Sequence, residues 1–387
     1  MATGNDCQDK RRNRYKGLFI THNYGLYGAS QSLQLFLRNR KDIDATLAIP
    51  RKKILSPQER ETIGRRFGVD SLRIRQFFLP WVNCFEGCKI DIRNRLLVGL
   101  KNLLWKANAK SCYRYIESGR FDFIHLNSMV LCEMITEAYP FIIHVRELLT
   151  HHIETVLSRV RQARGVIFID DSVVSPFSSL SLDASLVLPN PVDMRSCASH
   201  LEKVNPFAGG TVVTIIGRVE DGKGIDFIID AFKKTSANRL HLLIVGDKGD
   251  GFHGKYVSAC RDLAAGDSRI SFWGEEKDIN KIYAWSDYVI RGEIDFRMGR
   301  SVLEALYADC DVIIPVKDRS IVETNPELRK FRGKVHRYTP RDKDSLAEVF
   351  SRIAGRKILK SRFESNTEKY AAAFNRYVRR IIESGCA

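Results

Sequence analysis

The sequence predicts an α/β protein made of two Rossmann-like, doubly wound domains facing a cleft. Three observations lead there. At 387 residues the chain is longer than one hydrophobic core ordinarily supports. Short apolar runs rich in β-branched residues alternate with helical spacing along its whole length, and continuous runs such as residues 211–216 and 311–315 suit parallel strands covered on both faces. A polar stretch over residues 194–210, containing Pro206 and ending in Gly209-Gly210, separates the two halves. The expected layout is a flexible basic arm over 1–16, a first domain over 17–193, a linker over 194–210, a second domain over 211–360, and a C-terminal helix over 361–387 that returns to the first domain. Composition is that of a globular protein, 44% hydrophobic and 28% charged, and no run of eighteen apolar residues suggests a membrane span.

In the first half, the arm is polar and basic with no apolar centre, which is not the pattern of a signal peptide. Residues 17–20 begin the first strand, which exits through Thr21-His22. A turn containing Gly25 and Gly28 follows, then a helix. A glycine-bearing turn between strand and helix favours anions, but no third glycine or downstream ribose acid makes it a dinucleotide fingerprint. His22 is either a polar cleft group or a satisfied strand-end histidine. Residues 45–50 form the second strand, with Asp42-Ile43-Asp44 read as a solvated turn before it.

Residues 91–118 form a long helix. Leu96, Leu97, Leu100, Leu103, Leu104 and Ala107 make one stripe, with Arg95, Lys106 and Lys110 on another side and Trp105 off the stripe. One reading packs the stripe on the sheet with the basic side in water; the other lays the helix on an anionic membrane. Strands at 121–127 and 141–145 follow. Arg146 and Glu147 at the exit of the latter are cleft candidates or a rim ion pair. His151 and His152 are adjacent, so they point apart on a helix and do not make a joint metal pair. Residues 166–170 and 185–189 complete the strands of this half.

In the second half, a strand over 211–216 runs into Gly217-Arg218 and then Lys223-Gly224. The helical pattern Ile225, Ile228, Ile229, Phe232 comes next. This puts a guanidinium and an ammonium at the carboxyl edge of a sheet, where open α/β folds bind ligands and where a diphosphate would fit. Strands over 242–246, 270–274 and 288–290 follow, two of them ending in Gly246 and Gly274. In RGEIDFRMGRSVLEALYADCDVIIP, Gly299 allows close backbone approach, and Ser301 with Glu304 has the spacing of a capping box. The result is a helix start suited to an anion, with Arg300 beside it.

GRVEDGKGIDFIIDAF, LLIVGDKGDG, ISFWGEEKDINKIYAWSDYVI and GRSVLEAL, in that order, resemble the C-terminal half of a GT-B glycosyltransferase of the retaining family 4 type. The resemblance is good over about 211–315 and loose elsewhere. It implies transfer of a sugar from a nucleoside diphosphate sugar to an acceptor hydroxyl with retention, and needs no metal and no resident cofactor. It gives Arg218 and Lys223 the diphosphate and Glu304 the ribose. Gly217, Gly274, Gly299, Arg300 and Ser301 line the donor side. The Gly28-Ala29-Ser30 turn faces donor phosphate or acceptor, and the strand exit at Arg146-Glu147 faces the transferred sugar or acceptor, with His22. One departure stands out. The family has a second glutamate eight positions before Glu304, and that place holds Phe296. Asp295 is the expected replacement, with Glu293 the other neighbour. The departure leaves open a silent nucleotide-sugar binder, and the fold also serves epimerases and phosphorylases.

Sixty-two Lys and Arg against 46 Asp and Glu give a net charge of +16, which concerns partners and not fold. Expected partners are a nucleotide sugar and a glycan or lipid-linked acceptor, with peripheral contact with an anionic membrane on the second reading of the long helix. No nucleic-acid recognition signature is present. The nine scattered cysteines read as free thiols of a reducing cytoplasm; Cys84 and Cys88 have the wrong gap for a zinc knuckle.

Overall fold

The computed structural model describes residues 14–25, 28–85, 92–182, 184–201, 205–207, 209–246, 254–294, 296, 298–317 and 320–384. The basic arm up to residue 13, Asp295, Cys88 and Asp247 lie outside these. The chain divides into two compact units, Met1–Pro191 with Asn366–Ala387, and Val192–Ser365.

The first unit holds β1 (Tyr15–Ile20), α1 (Gly28–Asn39), β2 (Ile43–Pro50), α2 (Pro57–Phe67), β3 (Ile74–Phe77) and α3 (Ile92–Gly119). It continues through β4 (Phe123–Leu126), β5 (Phe141–Val145), α4 (Ile153–Val160), β6 (Gly165–Phe168) and β7 (Ser185–Val187). The strands form one sheet in the order β3-β2-β1-β4-β5-β6-β7, all parallel. Central strands are buried along their length, Leu18, Phe19, Ile20, Ile124 and Ile142 among them, which is why their sequences are continuous apolar runs and not alternating ones. Helix α2 shows how local chemistry sets an element. Ser56 and Glu59 form a capping box, Pro57 begins the helix, and Gly68 ends it at φ 62°.

The second unit holds β8 (Thr211–Ile216), α5 (Ile225–Lys233), β9 (Leu240–Val245), α6 (Gly254–Ala264), β10 (Ile270–Gly274), α7 (Ile279–Trp285) and β11 (Tyr288–Ile290). After these come α8 (Arg300–Tyr307), β12 (Asp311–Pro315), α9 (Ser320–Thr324), α10 (Pro326–Lys330), β13 (Val335–Tyr338) and α11 (Lys343–Ile353). Its parallel sheet runs β10-β9-β8-β11-β12-β13, the doubly wound order in which the winding reverses between β8 and β11. The first sheet reverses likewise between β1 and β4.

The last helix, α12 (Thr367–Ser384), belongs to the first unit. Tyr370, Phe374, Tyr377, Val378 and Ile381 recur at helical spacing and join the cluster of Phe19, Phe36 and Phe123. Tyr377 donates to the carbonyls of Val166 and Ala184, and a Cβ on Gly165 would stand 2.5 Å from its oxygen. Burying a ring such as Phe374 stabilises by about 3 kcal/mol.

Within the 194–210 stretch, Arg195–His200 forms a 3-10 turn of the second unit, Cys197 and His200 are buried, and His200 lies 3.2 Å from Asp278. Two expectations change. Asp44 lies within β2, opposite Lys16, and pairs with Arg73. On α3 the core-facing residues are Trp105, Cys112 and Ile116, whereas Leu96, Leu97, Leu100 and Leu103 are exposed. The bulky indole and the neighbours it meets, not the leucine count, decide which face is inside.

Candidate functional site

The site of the second unit grows from the loops after β8 and β11, at the reversal of the sheet. A parallel sheet directs these loops to one edge, and the reversal is where open α/β folds bind ligands. Here glycines let the loops touch. A Cβ on Gly224 would lie 2.1 Å from the Gly292 carbonyl oxygen, and one on Gly292 would lie 2.5 Å from that of Gly224. Gly246 packs on Gly217 in the same way, and its N–H donates to the Gly274 carbonyl at 2.8 Å. Gly217, Gly224, Gly246 and Gly274 all have positive φ.

On this frame stands a row of alternating charges. Arg218 is 3.2 Å from Glu220, Lys223 is 4.0 Å from Glu220 and 3.3 Å from Glu293, and Glu293 receives two bonds from Arg291. Arg291 also donates to Ser301 Oγ at 2.9 Å. Burial alone would raise the Glu293 carboxyl, but Arg291 and Lys223 hold it below its ordinary value. Two cations therefore keep Glu293 ionised.

At the start of α8 the expectation is corrected. Gly299, with extended backbone, is the N-cap, and Ser301 lies inside the helix with its hydroxyl bound to Arg291. Glu304 does not close a capping box. It pairs with Arg300 at 2.7 Å and accepts from Tyr283 Oη at 2.7 Å. Burial, with Glu304 beside it, pushes the Tyr283 phenol well up, so it remains a donor. A Cβ on Gly299 would stand 2.7 Å from Arg291 Nη1, so any larger residue there makes the guanidinium shift.

Arg218, Lys223, Gly217, Gly274, Gly299, Arg300, Ser301 and Glu304 thus all belong to the edge loops or the head of α8. Phe296 packs against the apolar cluster of Met298, Val302 and Leu306. Glu293, not singled out over Asp295 in the sequence, lies 3.3 Å from Lys223; Asp295 is outside the described residues. Arg291 and Glu220 were missed. The signal for Arg291 was present: a charge directly at a strand exit, the same signal that marks Arg146.

In the first unit the carboxyl edge carries a second polar cluster. Arg146 donates to Asn127 at 3.2 Å and Asn190 at 2.6 Å, and lies 3.1 Å from His144 Nδ1. His144 Nδ1 is also 3.3 Å from His125 Nε2. Glu147 does not form a rim pair with the Arg146 guanidinium. It accepts from Ser128 Oγ at 2.7 Å and from the backbone N–H of Met129, and burial raises its carboxyl. His22 packs against Trp81, ring centroids 5.3 Å apart, and burial with Arg146, Lys101 and Lys52 nearby lowers it to about 4. Gly28 is the first residue of α1, with open space where a Cβ would be.

Residues 210–354 match the family model described as glycosyl transferases group 1. No curated protein matches the chain in sequence. Among solved structures, the chain is similar to Anabaena HepE in complex with UDP-glucose, at 17% identity, TM-score 0.65, covering 96% of this chain and 99% of that one. It is also similar to the lipopolysaccharide outer core galactosyltransferase WaaB, at 14% identity, TM-score 0.57, with 96% and 99% covered. A glycosyltransferase from Rickettsia africae aligns at 14% identity and TM-score 0.58 over 97% of each chain. The second unit thus carries a stretch similar to glycosyl transferases group 1, in a chain whose two parallel sheets have the GT-B fold.

Proposed function

We propose that the protein transfers a sugar, a hexose by resemblance, from a nucleoside diphosphate sugar to a hydroxyl of a glycan or lipid-linked acceptor, with retention and without a metal. The observation that carries this reading is the meeting of Arg218, Lys223, Arg291 and the head of α8 where the second sheet reverses. The difficult step is departure of the diphosphate. Pre-placed cations and helix N–H groups neutralise its growing charge at little reorganisation cost. Glu220 and Glu293 hold these cations in place, and a diphosphate competes with them for Arg218 and Lys223. Glu304, fixed by Arg300 and Tyr283, is positioned to accept ribose hydroxyls. In HepE the bound molecule is UDP-glucose, which supports a uridine donor here. In the first unit, Arg146, Glu147 and His22 are the acceptor-side groups. The setting is the cytoplasm, with the chain peripheral on the inner face of a membrane.

The test is a thermal-shift panel of UDP-, GDP-, ADP- and dTDP-sugars on the wild type and on Lys223→Ala. Labelled-sugar transfer is then followed with and without acceptor, and with EDTA. A donor at a hundred times its Kd stabilises by about 2.7 kcal/mol. No shift with any donor sinks the reading, and loss of transfer in EDTA sinks its metal-free part. The anomeric configuration of the product decides retention. Phe296 at the motif place favours a second reading, a silent nucleotide-sugar binder, which predicts a donor shift with no transfer to any acceptor.

A further inference from the structure

Helix α3 buries one face and leaves a second apolar face open. Trp105, Cys112 and Ile116 are in the core, and Asn102 exchanges hydrogen bonds of 2.8 and 3.0 Å with the backbone of Trp81. On the other side Leu96, Leu97, Leu100 and Leu103 are 70%, 56%, 53% and 64% exposed. They recur one, four and seven residues on from Leu96 and so form one strip, in the place where a water-facing helix carries charge. Exposed Lys106, Lys110 and Arg114 continue along the same side. Lys101 flanks the strip, its Nζ 4.5 Å from the Trp81 ring centroid. The helix sequence has six basic residues and a single acidic one, Glu117.

We infer that this face of α3 lies on a bilayer containing anionic lipid, the leucines below the headgroups and the lysines among the phosphates. Charge selects this occupant over a second copy of the chain. A dimer through the strip would press like-charged flanks together, in a protein of net charge +16. The placement fits as well. Lys101 lies over Trp81, which packs on His22 at the carboxyl edge of the first sheet. Docking α3 therefore brings that edge near the headgroups, where a lipid-borne hydroxyl would be presented.

The test is co-sedimentation of the full chain with vesicles of phosphatidylcholine, and of phosphatidylcholine mixed with phosphatidylglycerol. No nucleotide sugar is present, so the outcome is independent of the transferase reading. The wild type should bind the anionic vesicles, and salt should weaken it. Leu96→Ser/Leu97→Ser/Leu100→Ser/Leu103→Ser should weaken binding about a hundredfold or more with no loss of melting temperature, since none of the four is buried. Lys106→Gln/Lys110→Gln should weaken it about tenfold or more on the anionic vesicles only. Three results would overturn the inference: no preference for anionic vesicles, unchanged binding by the leucine variant, or a dimer in light scattering that this variant abolishes while vesicles are ignored.

Discussion

Lys223 Nζ stands 3.3 Å from Glu293 Oε1, across seventy residues of sequence and across the reversal of the second sheet. The contact ties the loop after β8 to the loop after β11, and Arg291 extends it to Ser301 on α8. An ammonium held in this way keeps its position before any ligand arrives.

Replacing Lys223 by Ala should lower kcat/KM for the preferred donor by a hundredfold or more, the effect of losing one pre-placed donor, about 3 kcal/mol. Steady-state kinetics on a variant with an unchanged circular dichroism spectrum checks this. A loss of less than tenfold would remove Lys223 from the diphosphate.

Glu293→Gln should cost about 2 kcal/mol at pH 7, because Arg291 and Lys223 then face a neutral group. The folded Glu293 carboxyl lies below its ordinary value of 4.5, so its contribution is complete above that pH. It is lost as pH falls below 4.5 and through the depressed folded value. Melting curves of wild type and variant should converge in acid; a gap that stays constant to pH 3 contradicts the pairing.

Gly299→Ala places a methyl 2.7 Å from Arg291 Nη1 and pushes the guanidinium off Ser301. Donor KM should rise several-fold, and the melting temperature should drop by only a few degrees, about 1 kcal/mol. Donor titration at fixed acceptor measures it. An unchanged KM would mean that Arg291 has no part in donor binding.

The first unit should lose stability in mild acid. His125 is lowered to about 3 and His22 to about 4 by burial, and His144 lies well below its ordinary value of 6.5. All three stay neutral in the fold and gain protons once unfolded. Their stabilisation is full above pH 6.5 and declines as pH falls from there toward the folded values. Each histidine contributes a slope of about 1.4 kcal/mol per pH unit. Calorimetry from pH 7 to 5 checks this, and a flat transition temperature over that range would show that the histidines are not buried neutral.

Much of this was legible in the chain. A strand, a loop bearing Arg218 and Lys223, then a helix is a local pattern, and local patterns follow from periodicity and glycine placement. The four motifs after residue 211 and their order are legible in another way, as a resemblance to GT-B glycosyltransferases. Which partner each charge takes was not legible. Ser301 has the spacing of a helix cap, yet Arg291, ten residues earlier, takes its hydroxyl. The sequence puts Asp295 ahead of Glu293, yet the approach of Gly224 to Gly292 brings Glu293 within reach of Lys223. The leucines of α3 read as a packing stripe until Trp105 claims the inside.

The amino-acid order by itself determined the alternation of strands and helices and the cations offered at the exit of residues 211–216. Tertiary structure alone decided that Glu293 reaches Lys223 and which face of α3 meets solvent. Backbone periodicity acts over a few residues, whereas ion pairs and packing form between segments that only the winding of the sheet brings together.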